Sequence, residues 1–331
     1  MKMTIGDVAE ALGVSKTTVS RAISGKGRIG EKTREMVLNF IKEHNYTPSA
    51  IAKGLAQSRT FNISFVIPGD SAIVELPFFQ NCLSGICESA SNQEYDIIIS
   101  MCNGSDISQL KRAVENHKID GVILGRTFID DIAVKYLKKA GIPFVVIGSA
   151  NESGVVSVDN NHQGGCYELT DMLLTEGFNK LGLIGGSSEH TVTDRRLKGY
   201  ILACKDRGYS YDEDMIYLDV LNQEMADNVV QEIIQKGADC IISMDDLICG
   251  YVINTLNKIS IDLRPNIKLA SFYNSPMLDM FKPRITALDF DSVELGREAF
   301  GILYNMIELQ EVNENTLLGY EIRNYKEESN G

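Results

Sequence analysis

Apolar positions recur along this chain with two different spacings, and the change from one to the other divides it. Near the start, Ile5, Val8, Ala9 and Leu12 fall at i, i+3, i+4 and i+7, and Val19, Ala22 and Ile23 repeat the pattern. Each run therefore closes into a helix with one apolar face. Thr4 precedes the first helix with Asp7 three residues on, a variant of the capping box. Gly13 supplies the positive φ of a tight turn, and Ser15 caps the helix that follows. A third helix runs from about Glu31, with Val37, Phe40 and Ile41 turned inward. A shared core of Ile5, Val8, Leu12, Val19, Ile23, Val37 and Ile41 makes these three a helix-turn-helix unit. From Phe61 the apolar runs become short, continuous and β-rich. Residues 62–67, 95–100, 119–124 and 144–147 read as buried parallel strands, with helices over 79–92, 107–117 and 132–140 between them. A second series follows: strands 181–184, 240–243 and 267–272, and helices near 165–176, 191–206, 225–235 and 245–257. A last helix, about 292–309, and strand, about 317–325, complete one lobe each. The fold class is α/β: an all-α head followed by doubly wound parallel sheets in two lobes.

Charge sharpens that division. The 331 residues carry a net charge of −13, which by itself argues against a nucleic-acid partner. In residues 1–60, however, ten basic residues oppose five acidic ones, so the head is +5 and the remainder −18. A basic head on an acidic body reads as a DNA-contacting module carried by a larger domain. On the second helix Lys16, Thr17, Ser20 and Arg21 lie opposite the apolar face, near a helix start where base edges and phosphates are both within reach. The candidate DNA contacts in the head are Thr4, Ser15, Lys16, Thr17, Thr18, Ser20, Arg21 and Arg28. The plainer alternative for α-helical polar residues is a solvated face. Beyond Tyr46, Pro48 ends the third helix, and the short piece from Ser49 to Leu55, weakened by Gly54, is marginal as an isolated helix. It can fold when packed against a dimer mate and DNA.

The seven cysteines form no C-x-x-C pair and read as small core residues of a reducing cytosol. The four histidines are not spaced with them for zinc, and neither metal nor cofactor is expected. There is no apolar leader after Met1 and no long uncharged run, so the expectation is a cytoplasmic protein.

Thr4-Ile5-x-Asp7-Val8-Ala9, Gly13-Val14-Ser15, Thr18-Val19-Ser20-Arg21, Glu31-Lys32-Thr33-Arg34 and Tyr46-x-Pro48 resemble the headpiece of the lactose-repressor (LacI/GalR) family in order and spacing. The resemblance implies that Lys16, Thr17 and Arg21 read bases in the major groove. It implies that Leu55 wedges into the minor groove, with Ser49, Ala52 and Lys53 beside it. It also implies a periplasmic-binding-protein-like body. The domains expected are a helix-turn-helix domain (1–46), a hinge (47–60), and an effector-binding and dimerisation domain (61–331). The two lobes of that body are 61–158 plus 287–312, and 159–286 plus 313–331. Lys53 stands where Arg is common in the family, and Gly54 weakens the hinge helix.

Ligands of open α/β sheets bind beyond the carboxyl ends of the strands. That places the loops around Ser71, Phe78-Phe79, Arg126, Asp159-Asn160-Asn161, Thr193 to Arg196, Asp245 and Tyr273-Asn274 at a cleft between lobes. Carboxylates and amides suit sugar hydroxyls, and aromatic rings cover the C–H face. Taken singly, Ser71, Asn160 and Asp194 read better as capping or turn residues. Resemblance nominates Arg196, Asp245, Asp159 and Asn160 for effector hydrogen bonds. Pro77-Phe78-Phe79, Val192-Thr193, Asp245-Asp246-Leu247 and Ser271-Phe272-x-Asn274-Ser275 are similar to maltose-operon repressors of Gram-positive bacteria. Met244 and Tyr273 depart from residues usual in sugar-responsive members. The function implied is a sequence-specific regulator, a repressor of carbohydrate genes controlled by a small sugar. A non-sugar or phosphorylated ligand, and a free-standing sugar-binding protein, are the alternatives. Gly182-Leu183-Ile184-Gly185-Gly186 lacks the spacing of a dinucleotide loop, and no Ser-His-Asp grouping stands out, so no enzyme is expected. The polar tail 326–331 has no leucine heptads, which leaves a homodimer on a near-palindromic operator as the default.

Overall fold

The computed structural model describes residues 3–24, 27–44, 54, 57–69, 77–150, 152–209, 211–259, 267–282 and 284–324. The chain divides into two compact units, Met1–Phe61 and Asn62–Gly331. In the first, α1 (Ile5–Ala11), α2 (Lys16–Ser24) and α3 (Glu31–Glu43) enclose Val8, Ala9, Val19, Ala22 and Val37. Ile5, Leu12, Ile23 and Ile41 pack around them, so the helical spacing of the sequence does become one core. The expected starts are also present. Thr4 and Asp7 form the reciprocal capping box. Gly13 turns with φ 64°. The Thr18 N–H donates to Ser15 Oγ at 3.0 Å, which caps α2.

The second unit holds two six-stranded sheets. The first lobe contains β1 (Asn62–Pro68), α4 (Pro77–Ser91), β2 (Asp96–Cys102), α5 (Ser108–Glu115), β3 (Gly121–Leu124), α6 (Ile132–Ala140), β4 (Phe144–Ile147) and β5 (Ser157–Asn160). The second contains α7 (His162–Thr175), β6 (Leu181–Ile184), α8 (Thr191–Asp206), β7 (Ile216–Tyr217), α9 (Gln223–Gln235), β8 (Cys240–Ser243), α10 (Asp246–Lys258), β9 (Lys268–Ser271) and β10 (Thr286–Asp289). The chain then returns through α11 (Ser292–Ile307), which packs on α4, β3, β4 and β5 of the first lobe. It ends with β11 (Asn315–Leu318) and β12 (Glu321–Arg323).

The first sheet runs β11-β5-β4-β3-β1-β2 with every pairing parallel. The second runs β12-β10-β9-β8-β6-β7, parallel except for β12 against β10. Short apolar runs explain the central strands: β3, β4, β6 and β8 are buried along their whole length.

Three features of the lobes differ from the sequence reading. Asp159 and Asn160 belong to β5 of the first sheet, not to a loop opening the second lobe. Their strand is hidden from periodicity because polar residues occupy buried positions in it. Residues 287–289 pair with β9 and β12, so they lie in the second sheet rather than the first. The expected terminal strand is two strands: Asn315–Leu318 joins the first sheet and Glu321–Arg323 the second. The cysteine reading also needs one correction, since Cys87 is exposed on α4 while the other six are buried. Among the described residues no helix is long and apolar enough to cross a membrane.

Candidate functional site

Two sites are built by these elements. On α2 the nominated recognition residues line one side: Lys16, Thr17 and Arg21 are exposed, and Thr18 and Ser20 half-buried. Val19 and Ala22 on the other side are fully buried, which fixes the helix's rotation. Thr4 and Arg28 are exposed as well. Thr4 is committed to its cap, with its N–H and hydroxyl donating to Asp7 Oδ2 at 2.7 and 2.9 Å. These bonds hold the Asp7 carboxyl below its ordinary range, with Lys16 adding to the effect. The Arg21 stem rests against Gly27, where a Cβ would stand 3.2 Å from Arg21 Nε. Ser49, Ala52, Lys53 and Leu55, the hinge residues nominated for DNA, lie outside the described residues, as does Ser71.

The second site lies between the lobes of the body. Arg196 on α8 is 7% exposed, and its Nε has no hydrogen-bond partner. Its charge acts on Asp159, Asp245, His162 and Tyr273, which come from different elements. Asp159 Oδ2 accepts from Ser149 Oγ at 2.8 Å, and Oδ1 stands 3.7 Å from His162 Nε2. Burial raises the Asp159 carboxyl to about 6, against the opposing pull of Ser149, the Asn160 N–H and Arg196. Asp245 caps α10, accepting from the Ile248 N–H at 2.9 Å, and burial raises it too, with Arg196 opposing. Burial, and then Arg196, hold His162 well below the usual imidazole value.

The remaining nominees divide. Asn160 is 2% exposed, and neither its amide oxygen nor its amide nitrogen has a partner. It is not a cap, since Asn161 performs that task by accepting from the Gly164 N–H at 3.0 Å. Phe78 packs edge-on against Phe79 and Tyr273 at 5.1 and 6.1 Å between centroids. Tyr273 stacks on Phe290 at 6.1 Å, and Phe290 meets His162 at 4.8 Å. An aromatic run therefore leads from α4 to the Asp159–His162 pair. Thr193 is buried one turn before Arg196. Asn274 works locally, its side-chain amide donating to Asp279 Oδ1 at 3.4 Å. Arg126 lies over the Phe128 ring at 5.0 Å and lines a separate small cavity with Pro68, Cys102 and Asp131. Asp194, by contrast, makes a surface pair with Lys198 at 2.7 Å.

Sequence reasoning missed His162, Ser149 and Phe290: the first two meet the nearby Asp159, and Phe290 meets His162 from far along the chain. It also missed a seam joining the lobes. Phe128 and His190 form an antiparallel bridge, the Ile129 N–H donates to the Glu189 carbonyl at 2.8 Å, and the hydroxyls of Thr127 and Thr191 are 2.8 Å apart. The one available signal for His162 was its place directly after the polar run Asp159-Asn160-Asn161.

An exposed basic recognition helix carried with a two-lobed body of this topology defines a DNA-binding transcriptional regulator. Residues 4–49 match the family described as bacterial regulatory proteins, lacI family. Residues 60–328 match periplasmic binding proteins and the sugar-binding domain of the LacI family. The chain belongs to the LacI family. It is 31% identical to the HTH-type transcriptional regulator MalR of Streptococcus pneumoniae over 318 residues, 93% of each chain. It is 25% identical to catabolite control protein A of Staphylococcus xylosus, over 97% of this chain and 98% of that one. In fold it is similar to the lac repressor dimer bound to operator and the anti-inducer ONPF (TM-score 0.78, 20% identity, 97% and 98% covered). It is also similar to the transcriptional regulator CelR in complex with cellobiose (TM-score 0.72, 23% identity, 97% and 98% covered). These relatives are regulators, not enzymes.

Proposed function

We propose that this protein is a cytoplasmic, homodimeric repressor of carbohydrate-utilisation genes of the maltose or maltodextrin type. A neutral sugar between the lobes controls its hold on a near-palindromic operator. The observation that carries the reading is the buried cluster of Arg196, Asp159, Asp245, Asn160 and His162. It presents polar atoms of Asn160, His162 and Arg196 that no protein group satisfies. A buried donor or acceptor left unpaired costs about 1–3 kcal/mol, so hydroxyl groups that donate and accept are the complementary chemistry. The Phe78–Tyr273–Phe290 run supplies the apolar faces that a pyranose ring covers. The similarity to MalR supports the maltose type.

In the head, Lys16, Thr17 and Arg21 read base edges, while Thr4, Ser15, Thr18, Ser20 and Arg28 serve the backbone or the helix start. Ser49, Ala52, Lys53 and Leu55 contact the centre of the operator, with Leu55 as the wedge. A phosphorylated ligand is the second reading. It is disfavoured because the site buries two carboxylates, Asp159 and Asp245, on which the charge of Arg196 already acts and which would repel a phosphate.

Thermal denaturation of the full chain with maltose, maltotriose, cellobiose and a hexose phosphate tests this. A true effector at about a hundred times its Kd adds about 2.7 kcal/mol of stability. It also changes operator retention in the same titration. A shift with the hexose phosphate and none with any neutral sugar would overturn the reading.

A further inference from the structure

The first turn of α1 contains a residue with no evident task of its own. Gly6 stands in a helix, where a glycine is conformationally unfavourable relative to alanine. What occupies the space above it is Lys16. A Cβ at Gly6 would lie 3.2 Å from Lys16 Cε, 3.5 Å from Lys16 Nζ and 3.4 Å from Thr4 Oγ1. Lys16 is the first residue of α2 and is exposed. A long side chain in that position ordinarily spreads over many rotamers and loses that freedom on binding. Here its stem lies across the bare backbone of the neighbouring helix. Its charge acts on Asp7, whose carboxylate is itself held by the Thr4 N–H and hydroxyl at 2.7 and 2.9 Å. The seat has three parts: no side chain at position 6, a fixed carboxylate at position 7, and the turn at Gly13 that sets α2 against α1.

We propose that Gly6 is a specificity-determining positioning residue, whose missing side chain lets Lys16 lie on α1 and so sets where its ammonium group meets the DNA. The inference rests on the reading that Lys16 contacts bases. Gly27 gives Arg21 a comparable seat, but φ 89° there makes every substitution strained. Position 6, in ordinary helical backbone, is the clean place to intervene.

The test selects binding sites from a randomised duplex library with the full-length protein. The proteins are wild type, K16A, G6A, G6S and the double variant K16A/G6A. K16A is expected to flatten preference at particular base pairs of each half-site. G6A and G6S are expected to change preference at those same base pairs by about fivefold, a fraction of what one good base contact discriminates. Other positions keep their preferences, and the melting temperature of G6A equals or exceeds that of wild type. With Lys16 removed, G6A has no further effect on preference, because the coupling runs through that side chain. An unchanged G6A and G6S profile beside a flattened K16A profile overturns the inference and leaves the Lys16 reading standing. An equal G6A effect in both backgrounds also overturns it. A K16A profile identical to wild type removes the Lys16 reading, and the role of Gly6 with it.

Discussion

On α2 the groups nominated for recognition stand in water: Lys16, Thr17 and Arg21 are all exposed. Between the lobes the corresponding groups are withdrawn from it, with Arg196, Asp159 and Asn160 at 7, 6 and 2% exposure. The difference changes what each residue does for the fold. An exposed Lys or Arg is solvated in both the folded and the unfolded protein, so it can be tuned for sequence with little effect on stability. A buried guanidinium whose charge acts on buried carboxylates is part of the folded state itself. Removing it leaves those carboxylates less well compensated away from water. The proposed ligand site thus ties binding to stability more closely than the DNA-contacting face does.

Breaking the buried cluster gives the largest expected effect. Arg196→Ala removes the buried charge that opposes Asp159 and Asp245, leaving Arg195 as the cation still acting on Asp159, and should cost the body about 3–5 kcal/mol, read by denaturant unfolding near pH 8. It should also abolish any sugar response, while operator binding by the folded fraction persists. A variant as stable as wild type and still responsive would remove Arg196 from the site.

Next in size is a pH effect. Asp159 titrates near 6 in the folded protein against an ordinary 3.8, so the folded state holds the proton more tightly. Its contribution to stability therefore grows as pH falls from above 6 toward 4, by about 3 kcal/mol in all. His162, held below its usual value, pulls the other way in both proteins compared. Asp159→Asn should thus be more stable than wild type at pH 8 and converge with it near pH 4. Parallel stability curves across that range would contradict the burial argument.

Smaller effects belong to the exposed site. Arg21→Ala should relax base preference at one position in each half-site by about 1–3 kcal/mol. The melting temperature should stay where it was, since the side chain is exposed. A large loss of stability there would blur the contrast between the two regions. The smallest effect serves as a control: Asp194→Ala breaks only its surface pair with Lys198. It should change stability by less than about 0.5 kcal/mol and leave ligand response intact.

Local patterns carried far in this chain. The capping box at Thr4 and Asp7, the turn at Gly13 and the Ser15 cap needed only neighbours within a few residues. The same holds for Phe144–Ile147, for Leu181–Ile184 and, up to its closing serine, for Cys240–Ser243, where a short apolar run marks a strand buried on both faces. The family motifs were legible for the same reason, being short strings at fixed spacing. The polar strand β5 was not, because Asp159 and Asn160 are buried by what the chain does elsewhere.

Tertiary structure alone decided that Asn315–Leu318 and Glu321–Arg323 go to different sheets. It also decided that the charge of Arg196 acts on Asp159, Asp245 and His162, and that Phe78 meets Tyr273. Hydrogen-bonded turns and apolar spacing act over a handful of residues, so they are written in order along the chain. The cleft is made where the chain crosses between two separately wound sheets. Burial and charge there depend on residues brought together from far apart, which no local pattern encodes.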